Sequence, residues 1–423
     1  MVHISEKKDP GPIGKSKAGG ILFASAASAI SSFLVTVISA RTLTVEENKE
    51  FLVFWGLIFG IFGIISGTQT ESTRAAATGR ALDKKGDPPV GRAKIVYTAL
   101  GIGLVGALLV ALSSIFWSGR LTPSAPLIGT ITISVGVFFY SGEMSLSGMF
   151  AGSKAWGHYS LLLAAEAVIR LVLVALAGFY LADLLGLEIA SAIPSATWLL
   201  FLLGATGKNM LRKRADVSVA RLVKYNLQAM LSSAAWAALV TGFPTMLEIT
   251  SDGEDPALLA TLMLAVSLTR SPIMIPLQAF QGVLITWVAE ANSGRMKMLL
   301  KLQVIILGVG IALSACAALI GPQLMRLLFG GAYEISSKTI GLLTLASVAM
   351  AWLVLSGATS IALNKHREYV WGWVIAACVA FFLLLVLPFD VTARSITALI
   401  LSPLTGMAVH LLGIRMSDVC EGN

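Results

Sequence analysis

The sequence alternates between apolar blocks of about twenty residues and short charged segments, and this alternation limits its fold more than any other feature. A helix needs about 20 apolar residues to cross a hydrocarbon core roughly 30 Å thick. Only 13% of the residues are charged, whereas soluble domains carry about 25%. The pattern therefore predicts an all-α polytopic membrane protein.

The apolar blocks predict about twelve transmembrane helices. The sixth block is short, and the eighth is long enough to tilt or kink. The expected spans are 18–40, 51–73, 95–117, 126–151, 158–182, 193–208, 225–248, 257–288, 299–321, 338–362, 369–388 and 394–414.

A polar segment near the midpoint, 209–224, divides these spans six and six. Spans four and ten both exit with small residues, then a lysine (Lys154, Lys365) and a tyrosine, which favours an internal repeat of two six-helix lobes. Transporters built from parallel repeats bind substrate between the lobes. The expected organisation is a tail at 1–17, an N-lobe at 18–208, a linker at 209–224, a C-lobe at 225–414 and a tail at 415–423.

Basic residues concentrate in alternate connecting segments. Most of the 31 Lys and Arg lie in segments on the same side as the N-terminus, among them Lys84, Lys85 and the run 212–214. The positive-inside rule then predicts that both termini are cytoplasmic, and the basic runs are expected to meet anionic membrane lipid. The net charge of +8 reports on this orientation, and no nucleic-acid partner is expected. The three Cys and four His show no disulfide or metal-site spacing.

Two segments resemble a known superfamily. ISARTLTVEENKEFLVFW spans the end of the first helix and the start of the second, and LMRLLFGGAYEISSKTIGLLTLASVAMAWLVLSGATSIALNKHREY leads into the tenth. Both resemble motifs of the multidrug/oligosaccharidyl-lipid/polysaccharide (MOP) superfamily, in particular its Wzx-like polysaccharide flippases. The resemblance covers the whole chain in length, helix number and division into lobes.

The resemblance implies a V-shaped transporter fold that works by alternating access and has no catalytic site. The implied cargo is a polyprenyl-phosphate-linked saccharide, carried from the cytoplasmic to the outer leaflet of a bacterial inner membrane for envelope polysaccharide assembly. Implied partners are envelope glycosyltransferases or a polymerase. No cofactor or metal is implied, and transport would be coupled to an H⁺ or Na⁺ gradient or to the membrane potential.

Arg270 is the only formal charge between Asp255 and Glu290. At 1.5 Å per residue, Arg270 lies roughly 21 Å from the outer end of its span. Inserting an arginine near the membrane centre costs at least about 2.5–3.5 kcal/mol. It serves either as counter-charge for a lipid phosphate, which its planar fork suits, or as half of a structural ion pair. Pro272 and Pro276 predict a kink that either frees carbonyls toward a cavity or is a static bend.

The N-terminal half has its own intramembrane charges. Glu143 and Glu166 are each expected about 12 Å from the cytoplasmic face, and Arg170 follows Glu166 at i+4 on the same helix face. The three predict either an ion-coupling site or a structural network, and Arg170 is also a candidate contact for the phosphate of the cargo. Glu71 and Arg74 are expected at the cytoplasmic end of span two, either as interfacial residues or as guides for a headgroup.

Other functions remain open. A cation-coupled multidrug exporter of the same superfamily would need an acidic, aromatic cavity, and Arg270 argues against one. A polyprenyl-phosphate-dependent glycosyltransferase would fit the acidic pair Glu46 and Glu47, but no external loop is long enough for the domain such enzymes need. A scramblase or assembly factor without a coupling ion is the fourth alternative.

Overall fold

The computed structural model describes residues 15–85, 93–290, 295–363 and 365–421, most of which lie in α-helices. Within these ranges there is no β-strand, only an isolated antiparallel bridge between Lys94 and Arg214. Most of the predicted tail at 1–17, and positions 86–92 of the connection after span two, lie outside the described residues.

The first half of the chain contains helices α1 to α9, and a 3₁₀ turn, Ile193–Ala196, joins α7 to α8. The helices are α1 (Lys15–Thr42), α2 (Val45–Ile65), α3 (Gly67–Lys85), α4 (Ile95–Leu121), α5 (Pro126–Gly152), α6 (Trp156–Tyr180), α7 (Leu184–Ala192), α8 (Trp198–Phe201) and α9 (Ala205–Arg212).

The second half contains longer helices, several of which have an internal proline. They are α10 (Val219–Val240), α11 (Phe243–Thr250), α12 (Pro256–Glu290), α13 (Arg295–Phe329), α14 (Ser337–Ala362), α15 (His366–Val386) and α16 (Val391–Glu421).

Eleven helical segments of the described chain are long and apolar enough to span a membrane. The number becomes twelve if α10 and α11, which meet at 66°, count as one bent span. The chain is therefore an all-α multi-pass membrane protein, and the prediction of about twelve spans is confirmed.

The predicted boundaries of spans two and six deviate most from the structure. Span two, expected at 51–73, belongs to a longer helical segment, Val45–Leu82, because the polar helix α3 continues α2 almost without a break. Span six, expected at 193–208, lies instead at Leu184–Phe201. The error arose because Glu188 breaks the apolar pattern, whereas in the fold its side chain is only 1% exposed and is buried in protein rather than in lipid.

Two polar segments are also more helical than expected. Within the predicted linker 209–224, α9 reaches Arg212 and α10 begins at Val219. Within the predicted tail 415–423, α16 continues to Glu421. Hydropathy marks where a chain leaves the hydrocarbon and says little about where helical hydrogen bonding ends.

Helices of each half pack mainly with one another. In the first half α5 packs on α3 and α4, and α1 on α6; in the second half α14 packs on α12, α13 and α16. Within their most apolar windows, α14 is 83% buried and α13 only 11%. The small residues of α14 let its neighbours approach closely, so α14 is central and α13 faces lipid.

The two halves meet where α2 and α3 pack on α10, and where α1 and α2 pack on α12. The capping box at the start of α2 fixes where this helix begins. The Thr44 side chain accepts from the backbone N–H of Glu47, and the Glu47 side chain accepts from the backbone N–H of Thr44. The interface so positioned contains the candidate site.

Candidate functional site

A cavity of about 300 Å³ lies between the two halves, enclosed by α1, α2, α10, α11 and α12. Its wall combines large aromatic side chains, small hydroxyl groups and one charged side chain, Arg270. No acidic residue lines it in the part of the chain that the structure describes. Its aromatic and hydroxyl-bearing residues are Phe33, Trp55, Trp236, Phe243, Ser32, Thr36, Thr241, Ser267 and Ser271.

A second cavity of about 790 Å³ adjoins the first, because Trp236, Val240 and Met274 line both. It lies toward the α3 end of the interface, between α3 and α10 on one side and α14 and α15 on the other. Its polar lining includes Gln69 and Tyr369. On the predicted orientation this end faces the cytoplasm.

Arg270 reaches the cavity at the bend between α10 and α11. Its Nη1 donates to the carbonyl of Val240 at 2.8 Å and lies 3.4 Å from that of Leu239. Val240 is the last residue of α10, and Pro244, which would be its i+4 donor, has no N–H. The guanidinium therefore occupies the carbonyls that the helix break leaves unpaired.

The rest of the Arg270 side chain is not neutralised. No carboxylate pairs with it among the described residues, so the ion-pair alternative has no partner there. Its Nε is buried and makes no hydrogen bond to the described residues. Arg270 is thus a half-buried cation held by neutral carbonyls, with donor capacity left for a ligand.

The two prolines after Arg270 do not line the cavity. Pro272 and Pro276 are exposed on the surface of α12, which the structure describes as one helix from Pro256 to Glu290. Ser271, between Arg270 and the first proline, lines the cavity and donates to the carbonyl of Ser267 at 2.8 Å. The kink stays a prediction.

The N-terminal charges form a separate, closed cluster. Arg170 is 4% exposed and forms an ion pair with Glu166, one helical turn earlier. Its guanidinium also lies 4.7 Å from the ring centre of Phe59 and interacts electrostatically with Glu143. The Oε2 atom of Glu143 is buried and lacks a hydrogen-bond partner in the described structure. The sequence placed these residues at similar depth, and the fold brings them together.

Arg74 is held by two carboxylates. Its Nε and Nη2 donate to Glu71 at 2.9 and 2.7 Å, and its Nη1 and Nη2 donate to Asp216 at 3.0 and 3.1 Å. Its guanidinium also lies 5.2 Å from the ring centre of Tyr225. Asp216 belongs to the linker between α9 and α10, and sequence spacing gave no sign that it would meet span two.

Sequence reasoning missed the polar contacts that join the halves at the α1–α2 end of the interface. Asn48 Nδ2 donates to Tyr333 Oη at 2.9 Å, and Lys49 pairs with Glu248 at 2.7 Å. Burial raises the pKa of the Tyr333 hydroxyl above its ordinary value. We call these contacts, together with the Arg120–Asp252 pair, the closed end.

Solved structures with the same fold belong to the MOP superfamily. One is an inward-facing multidrug resistance MATE family transporter, with a TM-score of 0.68 and 13% identity over 94% of this chain and 98% of that one. An outward-facing MATE family transporter has a TM-score of 0.65 and 14% sequence identity over 96% of each chain. A third structure is a MOP superfamily transporter from Pyrococcus furiosus, whose binding pocket of reverse polarity is described as suggesting a different function. Its TM-score is 0.64, with 13% sequence identity over 94% of this chain and 95% of that one. The protein has the MOP transporter fold.

Two sequence relatives come from mycobacteria. The uncharacterized protein Rv3630 of Mycobacterium tuberculosis is 34% identical over 420 residues, which cover 96% of both chains. The uncharacterized protein Rv1510 of the same organism is 33% identical and covers 96% of this chain and 93% of its own. No protein-family model matches the sequence. The chain belongs to the same family as these mycobacterial proteins.

Proposed function

We propose that the protein is a flippase that moves a polyprenyl-phosphate-linked sugar or oligosaccharide from the cytoplasmic to the outer leaflet for envelope polysaccharide assembly. The observation that supports this cargo is the charge of the central cavity. Its described wall has a single cation, Arg270, and no acid. An anionic lipid phosphate needs such a counter-charge in order to cross the hydrocarbon region.

The cavity also suits the rest of such a cargo. Arginine keeps its charge in an apolar setting and offers several donors to phosphate oxygens. Aromatic faces such as those of Trp55 and Trp236 can pack against the apolar faces of sugar rings, and hydroxyl side chains can exchange hydrogen bonds with sugar hydroxyls. The pyrophosphate or phosphate would be held firmly and the saccharide loosely.

Alternating access would follow from the asymmetry of the interface. Polar contacts join the halves at the closed end, whereas the opposite end contains the larger cavity, which is lined by α3 of the first half and by α10, α14 and α15 of the second. In our proposal, lobes 18–208 and 225–414 rock about the Arg270 cavity, breaking the closed-end contacts as the other end closes. Glu143 would be the site of H⁺ or Na⁺ coupling.

The second candidate, a cation-coupled multidrug exporter, is favoured by the MATE structures that share the fold. Sequence identity of 13–14% to them supports the fold and not the cargo. The Pyrococcus furiosus protein is described as having a pocket of reverse polarity, so the polarity of the cavity is not a constant of the fold. The lack of a described acid around Arg270 favours an anionic cargo.

The test is binding of a polyprenyl phosphate against the matched polyprenol. The wild-type protein is expected to prefer the phosphate. Charge-assisted hydrogen bonds contribute about 1.5–3 kcal/mol, so Arg270→Ala should weaken phosphate binding roughly ten- to a hundredfold. Arg270→Lys should keep part of the preference for phosphate, because lysine keeps the positive charge but loses the bidentate geometry of the guanidinium.

Arg326→Ala is the matched control, because it removes an arginine that is 61% exposed and lies outside the cavity. It should bind like the wild type. An equal phosphate preference in the wild type and Arg270→Ala would reject Arg270 as the phosphate site. A preference for organic cations over the phosphate would favour the exporter.

The direction of transport depends on orientation, which labelling can test. With both termini inside, a cysteine introduced in 249–256 should react with a membrane-impermeant reagent added outside intact cells. A cysteine in 82–88 should react only after the membrane is opened. The reverse pattern would reverse the proposed direction of transport.

A further inference from the structure

A second cationic site lies away from the Arg270 cavity, on the side of the protein that the charge distribution predicts to be cytoplasmic. A cleft of about 480 Å³ is lined by Lys94, Lys208, Arg212 and Arg214, together with Tyr97 and Leu211. We call it the basic cleft. It shares no lining residue with the Arg270 cavity. The proposed transport function makes no use of it.

The basic cleft is built by tertiary contacts rather than by a loose charged tail. The backbone N–H of Ala215 donates to the carbonyl of Ala93 at 2.8 Å, and Lys94 and Arg214 form the isolated bridge. The start of α4 and the segment after α9 are therefore held side by side. Buried Met210 anchors α9, while Lys208 and Arg212 of the same helix remain exposed.

The charge of the cleft is not compensated by its own wall. No acidic residue lines it in the described ranges, and the adjoining cavity of about 240 Å³ adds Arg80 and Lys213 but no acid. The carboxylate of Asp216, two residues beyond Arg214, is engaged by Arg74. Four cations around one cleft repel one another, and a bound anion would relieve that repulsion.

The cleft lies where the chain meets the bilayer surface. Lys94 directly precedes Ile95, the first residue of a membrane-spanning helix. Tyr97 in the cleft wall is 52% exposed, and Leu200 and Leu203, which precede α9 in the chain, are 57% and 78% exposed. Basic residues beside an exposed apolar surface are the arrangement that binds anionic headgroups while the acyl chains remain in the bilayer.

We infer that the basic cleft binds the phosphate headgroup of an anionic phospholipid from the leaflet on this side of the membrane. The donors are the side chains of Lys94, Lys208, Arg212 and Arg214, and the acyl chains lie along the exposed apolar residues near α8 and α9. A free phosphate offers the same oxygens without the acyl chains, so the apolar rim favours a lipid over a soluble anion.

The experiment compares two double variants of the full chain in detergent. Lys208→Gln/Arg212→Gln removes two cations of the cleft. Arg221→Gln/Lys224→Gln removes two exposed cations of α10 that do not line it, and so controls for net charge. Native mass spectrometry measures the retention of dioleoyl phosphatidylglycerol against dioleoyl phosphatidylcholine, with and without inorganic phosphate as competitor.

The wild type and the α10 variant should both prefer phosphatidylglycerol. Each basic residue near a membrane surface contributes about 1 kcal/mol, so the cleft variant should lose roughly five- to thirtyfold of the preference. Equal losses in both variants would show a general charge effect and overturn the site. Displacement of the lipid by millimolar inorganic phosphate would identify a soluble anion as the ligand and overturn the lipid assignment. Neither readout depends on transport, so this result stands apart from the test at Arg270.

Discussion

Arg170 and Arg270 both lie inside membrane spans, but their surroundings differ between the two halves of the protein. Arg170 in the first half is 4% exposed, pairs with Glu166 and packs against the ring of Phe59. Arg270 in the second half is half-buried, touches only neutral carbonyls among its described partners and faces a cavity. Both arginines cost free energy to insert, but of the two only Arg170 is paired with a carboxylate among the described residues.

The difference shows how a structural charge can be told from a charge available to a ligand. A buried cation with a carboxylate partner stabilises the packing around it, and removing one member strands the other. A cation held by helix-end carbonyls keeps its net charge, so the surrounding cavity remains favourable for an anion. The contrast between the two arginines leads to predictions, which follow from the largest expected effect to the smallest.

The largest effect is expected in the first half. Arg170→Ala leaves Glu166 as a buried unpaired carboxylate, which should lower the free energy of unfolding by about 3–5 kcal/mol. Thermal unfolding in detergent would measure the loss, with Arg326→Ala as a surface control. The double variant Glu166→Ala/Arg170→Ala should recover part of the stability. If the double variant is as unstable as the sum of the singles, the pair is not the source of the effect.

A smaller loss of stability is expected at Arg270 in the absence of ligand. Arg270→Ala removes hydrogen bonds to the end of α10, and a typical hydrogen bond contributes about 0.5–1.5 kcal/mol net. The protein should therefore fold and lose less than half of what Arg170→Ala loses in the same assay. Equal losses at the two arginines would remove the contrast and make Arg270 a structural residue.

A still weaker effect is expected at the closed end. The Lys49–Glu248 pair is 18% and 12% exposed and joins the halves across the interface. An ion pair of this kind contributes about 1 kcal/mol, so Lys49→Met should shift the population by about fivefold toward the conformation in which the closed-end contacts are broken. A cysteine introduced by Ser267→Cys in the cavity wall should then react faster with a membrane-impermeant thiol reagent added outside. A slower reaction would contradict the proposed role of the pair.

Glu143 should give the smallest change in stability and a change in ion dependence. Its Oε2 has no described partner, so Glu143→Gln replaces a buried carboxyl by a neutral group of the same shape. The variant should unfold at the wild-type temperature, while transport in proteoliposomes should lose its dependence on pH or Na⁺. Unchanged ion dependence in a folded Glu143→Gln protein would return this residue to a structural role.

Much of the architecture could be predicted because hydropathy is a local property. A stretch of apolar residues must leave water wherever the rest of the chain lies, so the helical class and about twelve spans follow from composition along the chain. The boundary errors occurred where this local rule fails. Glu188 interrupts an apolar stretch yet is buried in protein, and α3 is polar yet continues a membrane helix.

The sequence by itself also located Arg270 deep in an apolar segment and put Glu166 and Arg170 on one helix face, since both follow from position along a helix. Only the tertiary structure decided which charges are paired. Asp216 meets Arg74 across 142 positions, Glu248 meets Lys49 across 199, and the Val240 carbonyl meets Arg270 at a helix break across 30. Charge pairing depends on distances of a few ångströms between segments remote in sequence, and in a low dielectric those distances determine whether a charge is structural or free to bind.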